Sequence, residues 1–116
     1  MQSHEDLKVW KKSVDLCVAL YRSTETFPQR EIYGIVSQIR RAAVSVPSNI
    51  AEGRRRGTDA DFCYFLRVAY GSLAELETQL LISRELSFCG REEFKRIQAD
   101  IAEVGKMLHA MIKKLQ

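Results

Sequence analysis

The sequence predicts an all-α chain folded as an up-down-up-down antiparallel four-helix bundle, and three observations predict it. Apolar residues recur at alternating steps of three and four along most of the chain, glycine and proline number only six and two, and the segments that interrupt the pattern are short. The 116 residues make one domain. With 46% hydrophobic and 28% charged residues, the composition excludes a disordered or collagen-like chain.

The first helix, near residues 8–25, follows from a seam of Leu7, Trp10, Val14, Cys17 and Tyr21. Glu5 and Asp6 place acid in its first turn, where the helix dipole favours it, and Thr26, Phe27 and Pro28 close it. The second helix, near 29–52, carries Ile32, Ile35, Ile39, Ala42, Val46 and Ile50 behind Glu31. Inside it Pro47 removes a backbone donor and crowds the carbonyl of Ala43, an effect of about 3 kcal/mol. The apolar spacing resumes in register at Ile50, so one helix kinked near Pro47 is expected in place of two.

The third helix, near 59–86, presents Phe62, Leu66, Ala69, Leu73, Leu76 and Leu80, with Thr58 or Asp59 as its N-cap and Asp61 in its first turn. The fourth, near 91–115, presents Phe94, Ile97, Ile101, Val104, Leu108, Met111 and Leu115 behind Glu92 and Glu93. The connections at residues 53–57 and 87–90 are short enough to turn consecutive helices back on one another.

Two helices are apolar over more of their girth than one bundle uses. Phe65, Val68, Leu81 and Ile82 flank the inner stripe of the third helix, and Met107 and Ile112 that of the fourth, which predicts self-association. Gly34, Gly71 and Gly105, each unfavourable by up to about 1 kcal/mol inside a helix, point to close helix approach.

No catalytic constellation is visible. His4 and His109 stand in no Ser, Cys or Asp arrangement that spacing would recognise, and the phosphate-loop, dinucleotide and zinc-protease signatures are missing. The cysteines Cys17, Cys63 and Cys89 are odd in number, without metal-ligand spacing, and read as buried thiols of a reducing compartment. No Glu-x-x-His motif supports a di-iron site. A non-catalytic protein with no metal and no cofactor is therefore expected. The first residues carry no apolar signal core, and no uncharged run approaches the roughly twenty residues that span a bilayer. A cytoplasmic protein without membrane contact is the expectation.

A formal charge of +3 says little until it is placed on the topology. An up-down bundle brings the start of the first helix, the hairpin between the second and third, and the end of the fourth to one pole. Lys8, Lys11, Lys12, Arg54, Arg55, Arg56, Lys113 and Lys114 gather there. Arg54, Arg55 and Arg56, between Gly53 and Gly57, read as three guanidinium forks on a mobile loop able to follow a phosphate backbone. The competing reading is a solvated hairpin whose arginines pair with Glu52, Asp59 and Asp61, while Lys113 and Lys114 answer the helix dipole. Antiparallel register around the same hairpin sets Arg41 level with Glu75 and predicts an interhelical ion pair. Trp10, on an inner seam, is expected in the core and not as a base-stacking platform.

Residues 37–53 (SQIRRAAVSVPSNIAEG) and 65–80 (FLRVAYGSLAELETQL), with Leu7 to Trp10 (LKVW) and Phe27-Pro28, resemble the four-helix-bundle family of the bacterial 23S ribosomal RNA intervening-sequence protein over nearly the whole chain. The resemblance extends to the accessory variability determinant of diversity-generating retroelements, which shares that fold. It implies a ring-shaped homopentamer that contacts RNA or DNA and works with a reverse transcriptase. It also implies that Arg41, Asn49, Glu52, Ser72 and Glu75 are motif positions with structural or interfacial roles. The expectation is a nucleic-acid-binding accessory protein whose phosphate contacts come from Arg54, Arg55, Arg56, Lys8, Lys11 and Lys12. The alternative is a protein-binding scaffold that recruits a partner such as a reverse transcriptase.

Overall fold

A computed structural model describes residues 3–116, apart from the side chain of Asp6. The described residues form four long helices, α1 (Lys8–Thr24), α2 (Ile35–Arg55), α3 (Asp59–Glu85) and α4 (Arg91–Leu115), with short 3-10 turns at His4–Asp6 and Gln29–Glu31. Their consecutive reversals give a rod of 43 × 23 × 20 Å. Its long axis is close to the length of a 27-residue helix such as α3 at about 1.5 Å per residue.

The inner stripes of α3 and α4 are those the spacing predicts: Phe62, Leu66, Ala69, Leu73, Leu76 and Leu80 are buried against Phe94, Ile97, Ile101, Val104 and Leu108. Near its end α4 turns Ile112 inward and leaves Met111 and Leu115 only partly covered, so Ile112 belongs to the core and not to an outer flank.

In α1 the buried stripe is Val9, Ser13, Leu16 and Leu20, one position away from the expected seam, and Tyr21 is exposed. Ser13 hides this stripe from a reading of apolar periodicity. Its hydroxyl donates to the Trp10 carbonyl at 2.8 Å, which lets a polar residue sit in the core without a stranded group. Trp10 is partly buried and packs against that core. Glu5 lies in the preceding 3-10 turn, where its N–H donates to Ser3 Oγ at 3.3 Å, so it does not serve the first turn of α1. The side chain of Asp6, expected beside it, lies outside the described ones.

The second helix begins at Ile35, later than the expected residue 29, because Gly34 (φ −105°, ψ −117°) leaves the helical region. Ile32 lies outside α2 and is exposed. Glu31 still serves the helix start, its Oε1 accepting from the Ile35 N–H at 3.4 Å. The helix then runs through Pro47 as one element and continues past residue 52 to Arg55. Gly53 permits this: it is buried, and a Cβ placed on it would stand 2.6 Å from Phe65 Cβ. The close helix approach therefore occurs at Gly53. Of the glycines expected to mediate it, Gly34 lies before α2, Gly71 has open space around it, and Gly105 has only Leu73 Cδ2 at 3.4 Å.

Three connections close the bundle. Gly57, at φ +89°, makes the α2–α3 turn, and Thr58 caps α3 by accepting from the Asp61 N–H at 3.1 Å. Phe27 and Phe88 meet at 5.8 Å between the connections of the far pole. The end of α3 folds back through bonds from Ser87 N–H to the Arg84 carbonyl (2.9 Å) and from Phe88 N–H to the Ser83 carbonyl (2.8 Å). That closure holds Ser87 at φ +62°, a left-handed conformation that glycine adopts freely. Ser87→Gly is expected to stabilise the fold by up to about 1 kcal/mol, read as a higher thermal midpoint.

Candidate nucleic-acid interface

The topology brings the start of α1, the end of α2 and the end of α4 to one pole, as the charge argument requires. The side chains there are less uniform than the sequence suggests. Arg54 and Arg55 occupy the last turn of α2 and Arg56 is its C-cap, so the three arginines project from a helix end and not from a mobile glycine-flanked loop. Helical geometry fans consecutive residues about 100° apart, which gives the three different fates.

Arg54 lies over the Phe62 ring at 5.2 Å, and Arg56 over Phe65 at 5.1 Å. Arg56 Nη2 also donates to Glu52 Oε2 at 2.9 Å, an exposed i,i+4 pair that raises the arginine pKa through the hydrogen bond and then through charge. Arg55 is exposed and takes part in no ion pair or hydrogen bond among the described residues.

Lys12 is likewise occupied, by an ion pair with Glu103 of α4. The hydrogen bond to Glu103 raises the Lys12 pKa, and the reciprocal bond holds the Glu103 carboxyl below its ordinary value. The carboxyl side of this pair supports the fold above the usual glutamate range and fades as pH falls through the lowered value. The lysine side supports it below the usual lysine range and fades as pH rises through the raised value. The difference in melting temperature between wild type and Glu103→Gln should therefore hold at neutral pH and vanish in acid; a difference that persists in strong acid would exclude the pair. Lys8, Lys11, Lys113 and Lys114 are exposed.

The motif positions form a different arrangement on the α2–α3 face. Buried Ser72 shares a 2.7 Å hydrogen bond with Ser45, and Asn49 Nδ2 donates to Ser45 Oγ at 2.9 Å and to the Ser45 carbonyl at 2.8 Å. The Ser45–Ser72 bond ties α3 to α2, and the two Asn49 bonds lie within α2, spanning the turn that contains Pro47. Arg41 and Glu75 face a common groove of about 460 Å³ with Gln38 and Gln79, but both are exposed and no ion pair joins them. The expected interhelical pair is thus absent among the described contacts. Long side chains at an open groove gain little from pairing against the entropy of fixing them.

Sequence reasoning missed two features. Arg40 clamps α1 to α2, its Nε donating to Thr24 Oγ1 at 3.0 Å and its guanidinium lying 4.7 Å from the Tyr21 ring centroid. At the far pole Arg84, Arg91 and Lys95 line a groove of about 670 Å³, so the cations are not confined to one end.

His4 packs edge-on against Trp10 at 5.0 Å, and His109 is exposed beside Tyr70. Cys89 is buried while Cys17 and Cys63 are half-buried; burial raises the thiol pKa of Cys17 and Cys89. Among the described residues, no group of histidine, cysteine and carboxylate side chains could hold a metal ion, and no helix is long and apolar enough to cross a membrane.

Comparison with known proteins agrees with this architecture. The chain is similar to the crystal structure of a protein with unknown function from the S23 ribosomal protein family of Bacteroides thetaiotaomicron VPI-5482, at 27% sequence identity and a TM-score of 0.82, covering 90% of this chain and 98% of that one. No curated protein matches the sequence. The model of one family, described as 23S rRNA-intervening sequence protein, matches residues 5–110. That match takes in all of α1, α2 and α3 and most of α4, and the chain belongs to the 23S rRNA-intervening sequence protein family.

Proposed function

We propose that the chain is a non-catalytic, homo-oligomeric accessory protein of the cytoplasm that holds RNA or DNA by its phosphates. The observation that carries this reading is the exposed set Lys8, Lys11, Arg55, Lys113 and Lys114 at one pole of the bundle. Arg54, Arg56 and Lys12 hold the pole together and add to its field. The family's name, which concerns ribosomal RNA, supports a nucleic-acid partner.

The family resemblance favours five copies in a ring. Five chains of +3 would carry about +15, with each basic pole repeated around the axis, enough for phosphate neutralisation without base reading. A role beside a reverse transcriptase belongs to the same proposal.

Retention of labelled RNA and DNA in gel shifts across a salt series tests it. Wild type should bind with a steep loss of affinity as salt rises, and replacing Arg54, Arg55 and Arg56 together by alanine should weaken binding and flatten the slope. Unaltered affinity would reject the site. The scaffold reading draws on exposed Leu81, Ile82 and Leu86 of α3 and its C-cap, apolar side chains suited to a protein partner. It expects no salt-dependent retention at all.

A further inference from the structure

Between α3 and α4 lies a slot of about 390 Å³, floored by buried Leu73 and Ile101 and by Gly105. Gly105 stands in the middle of α4, where glycine weakens a helix relative to alanine. Packing within the chain does not demand it, since a Cβ built there would meet only Leu73 Cδ2, at 3.4 Å. Its missing side chain keeps the slot open to a close approach from outside.

At the mouth stand Tyr70 of α3 and His109 of α4, both exposed, with ring centroids 6.1 Å apart and planes inclined at 35°. Lys106 and Glu77 flank the rings, and neither enters an ion pair or hydrogen bond among the described residues. Along α4, Gly105, His109 and Lys113 follow one another in steps of four on one face. The slot therefore leads, in about two helical turns, to a cation of the basic pole.

We infer that this slot takes an unpaired nucleobase from a single strand whose phosphates lie on the basic pole, the Tyr70 ring giving the face on which the base stacks. The inference rests on the phosphate contact proposed above and names the form of nucleic acid that completes it. A base is apolar on its faces and carries donors and acceptors along its edge. The slot matches that division, with an apolar floor and, at its rim, a donor in Lys106 and an acceptor in Glu77. A phosphate fits it poorly, because the floor offers no donor and Glu77 repels an anion. A paired base cannot enter, since its neighbours in the duplex cover its faces. Stacking on an aromatic ring accepts every base, in keeping with a protein that holds phosphates without reading sequence.

Gel shifts with two labelled strands of equal length test it, one a single strand of mixed sequence and the other an abasic strand that keeps the phosphates and lacks the bases. Circular dichroism follows the fold. Wild type should hold the normal strand at least about fivefold more tightly than the abasic one. Tyr70→Ala, and separately Gly105→Leu, which fills the slot, should erase that margin while leaving affinity for the abasic strand and its salt slope unchanged. Tyr70→Phe, which keeps the stacking face, should retain it. Equal retention of the two strands by wild type, or a margin that survives both Tyr70→Ala and Gly105→Leu, overturns the slot and leaves the basic pole standing. A wild type that holds neither strand overturns the basic pole and the slot with it.

Discussion

Gly53→Leu should destabilise the fold by at least about 3 kcal/mol, enough to lower the thermal midpoint by more than roughly 10 °C in a chain of this size. The reason is where α2 and α3 touch. A Cβ at residue 53 would stand 2.6 Å from Phe65 Cβ and 3.3 Å from Phe62 Cδ1. Phe65 Cβ is anchored directly to the α3 backbone, so relief requires one helix to move away from the other. That movement would loosen Ile50, Phe62 and Leu66 in the surrounding core and disturb the cation–π contacts of Arg54 and Arg56. Gly105→Ala is the control, since the new carbon would meet only Leu73 Cδ2, at an ordinary contact distance of 3.4 Å. It should stabilise the helix by up to about 1 kcal/mol. Parallel thermal melts decide the matter, and two glycine substitutions with the same sign would contradict the packing of α2 on α3.

The contrast shows what a single sequence conveys about this fold. Periodicity identifies α3 and α4 because their inner positions are large and apolar without interruption. It misplaces the stripe of α1 because apolar residues cover two adjacent faces there, and the position that decides between them is Ser13. Burial of that hydroxyl depends on a bond to the Trp10 carbonyl, a three-dimensional fact with no periodic signature. The end of α2 is hidden for a similar reason. Gly53 resembles a helix stop by composition, yet the phenylalanines of α3 need its missing side chain, and the helix continues through it.

The candidate interface was legible in its location and not in its detail. Helix order alone brings Lys8, Lys11, Arg55, Lys113 and Lys114 to one pole. Which cations are engaged depends on helix rotation and register: Arg54 and Arg56 turn to aromatic rings of α3, and Lys12 reaches Glu103 across the α1–α4 contact. Arg41 and Glu75 show the limit of register arguments, because being level across a groove does not make two exposed side chains pair.

Those different fates lead to an ordered set of expected binding losses. Arg55→Ala should weaken nucleic-acid retention more than Arg56→Ala, although the two residues are adjacent and equal in charge. Arg55 is exposed and without an ion pair, whereas Arg56 must give up Glu52 before it can serve a phosphate. Lys12→Ala should fall with Arg56→Ala, because its ammonium is already held by Glu103. Replacing Lys8, Lys11, Arg55, Lys113 and Lys114 together by glutamine should reduce the slope of log affinity against log salt by about 1 for each phosphate left without its cation. These residues lie outside the buried core, so the melting temperature should change little while affinity at low salt falls by at least about a hundredfold. The ranking is the discriminating part. If Arg55→Ala and Arg56→Ala weaken binding equally, the polyanion senses only the net field of the pole; if the five-site variant still binds with a steep salt slope, its phosphates lie elsewhere, and the groove of Arg84, Arg91 and Lys95 at the far pole becomes the next surface to neutralise.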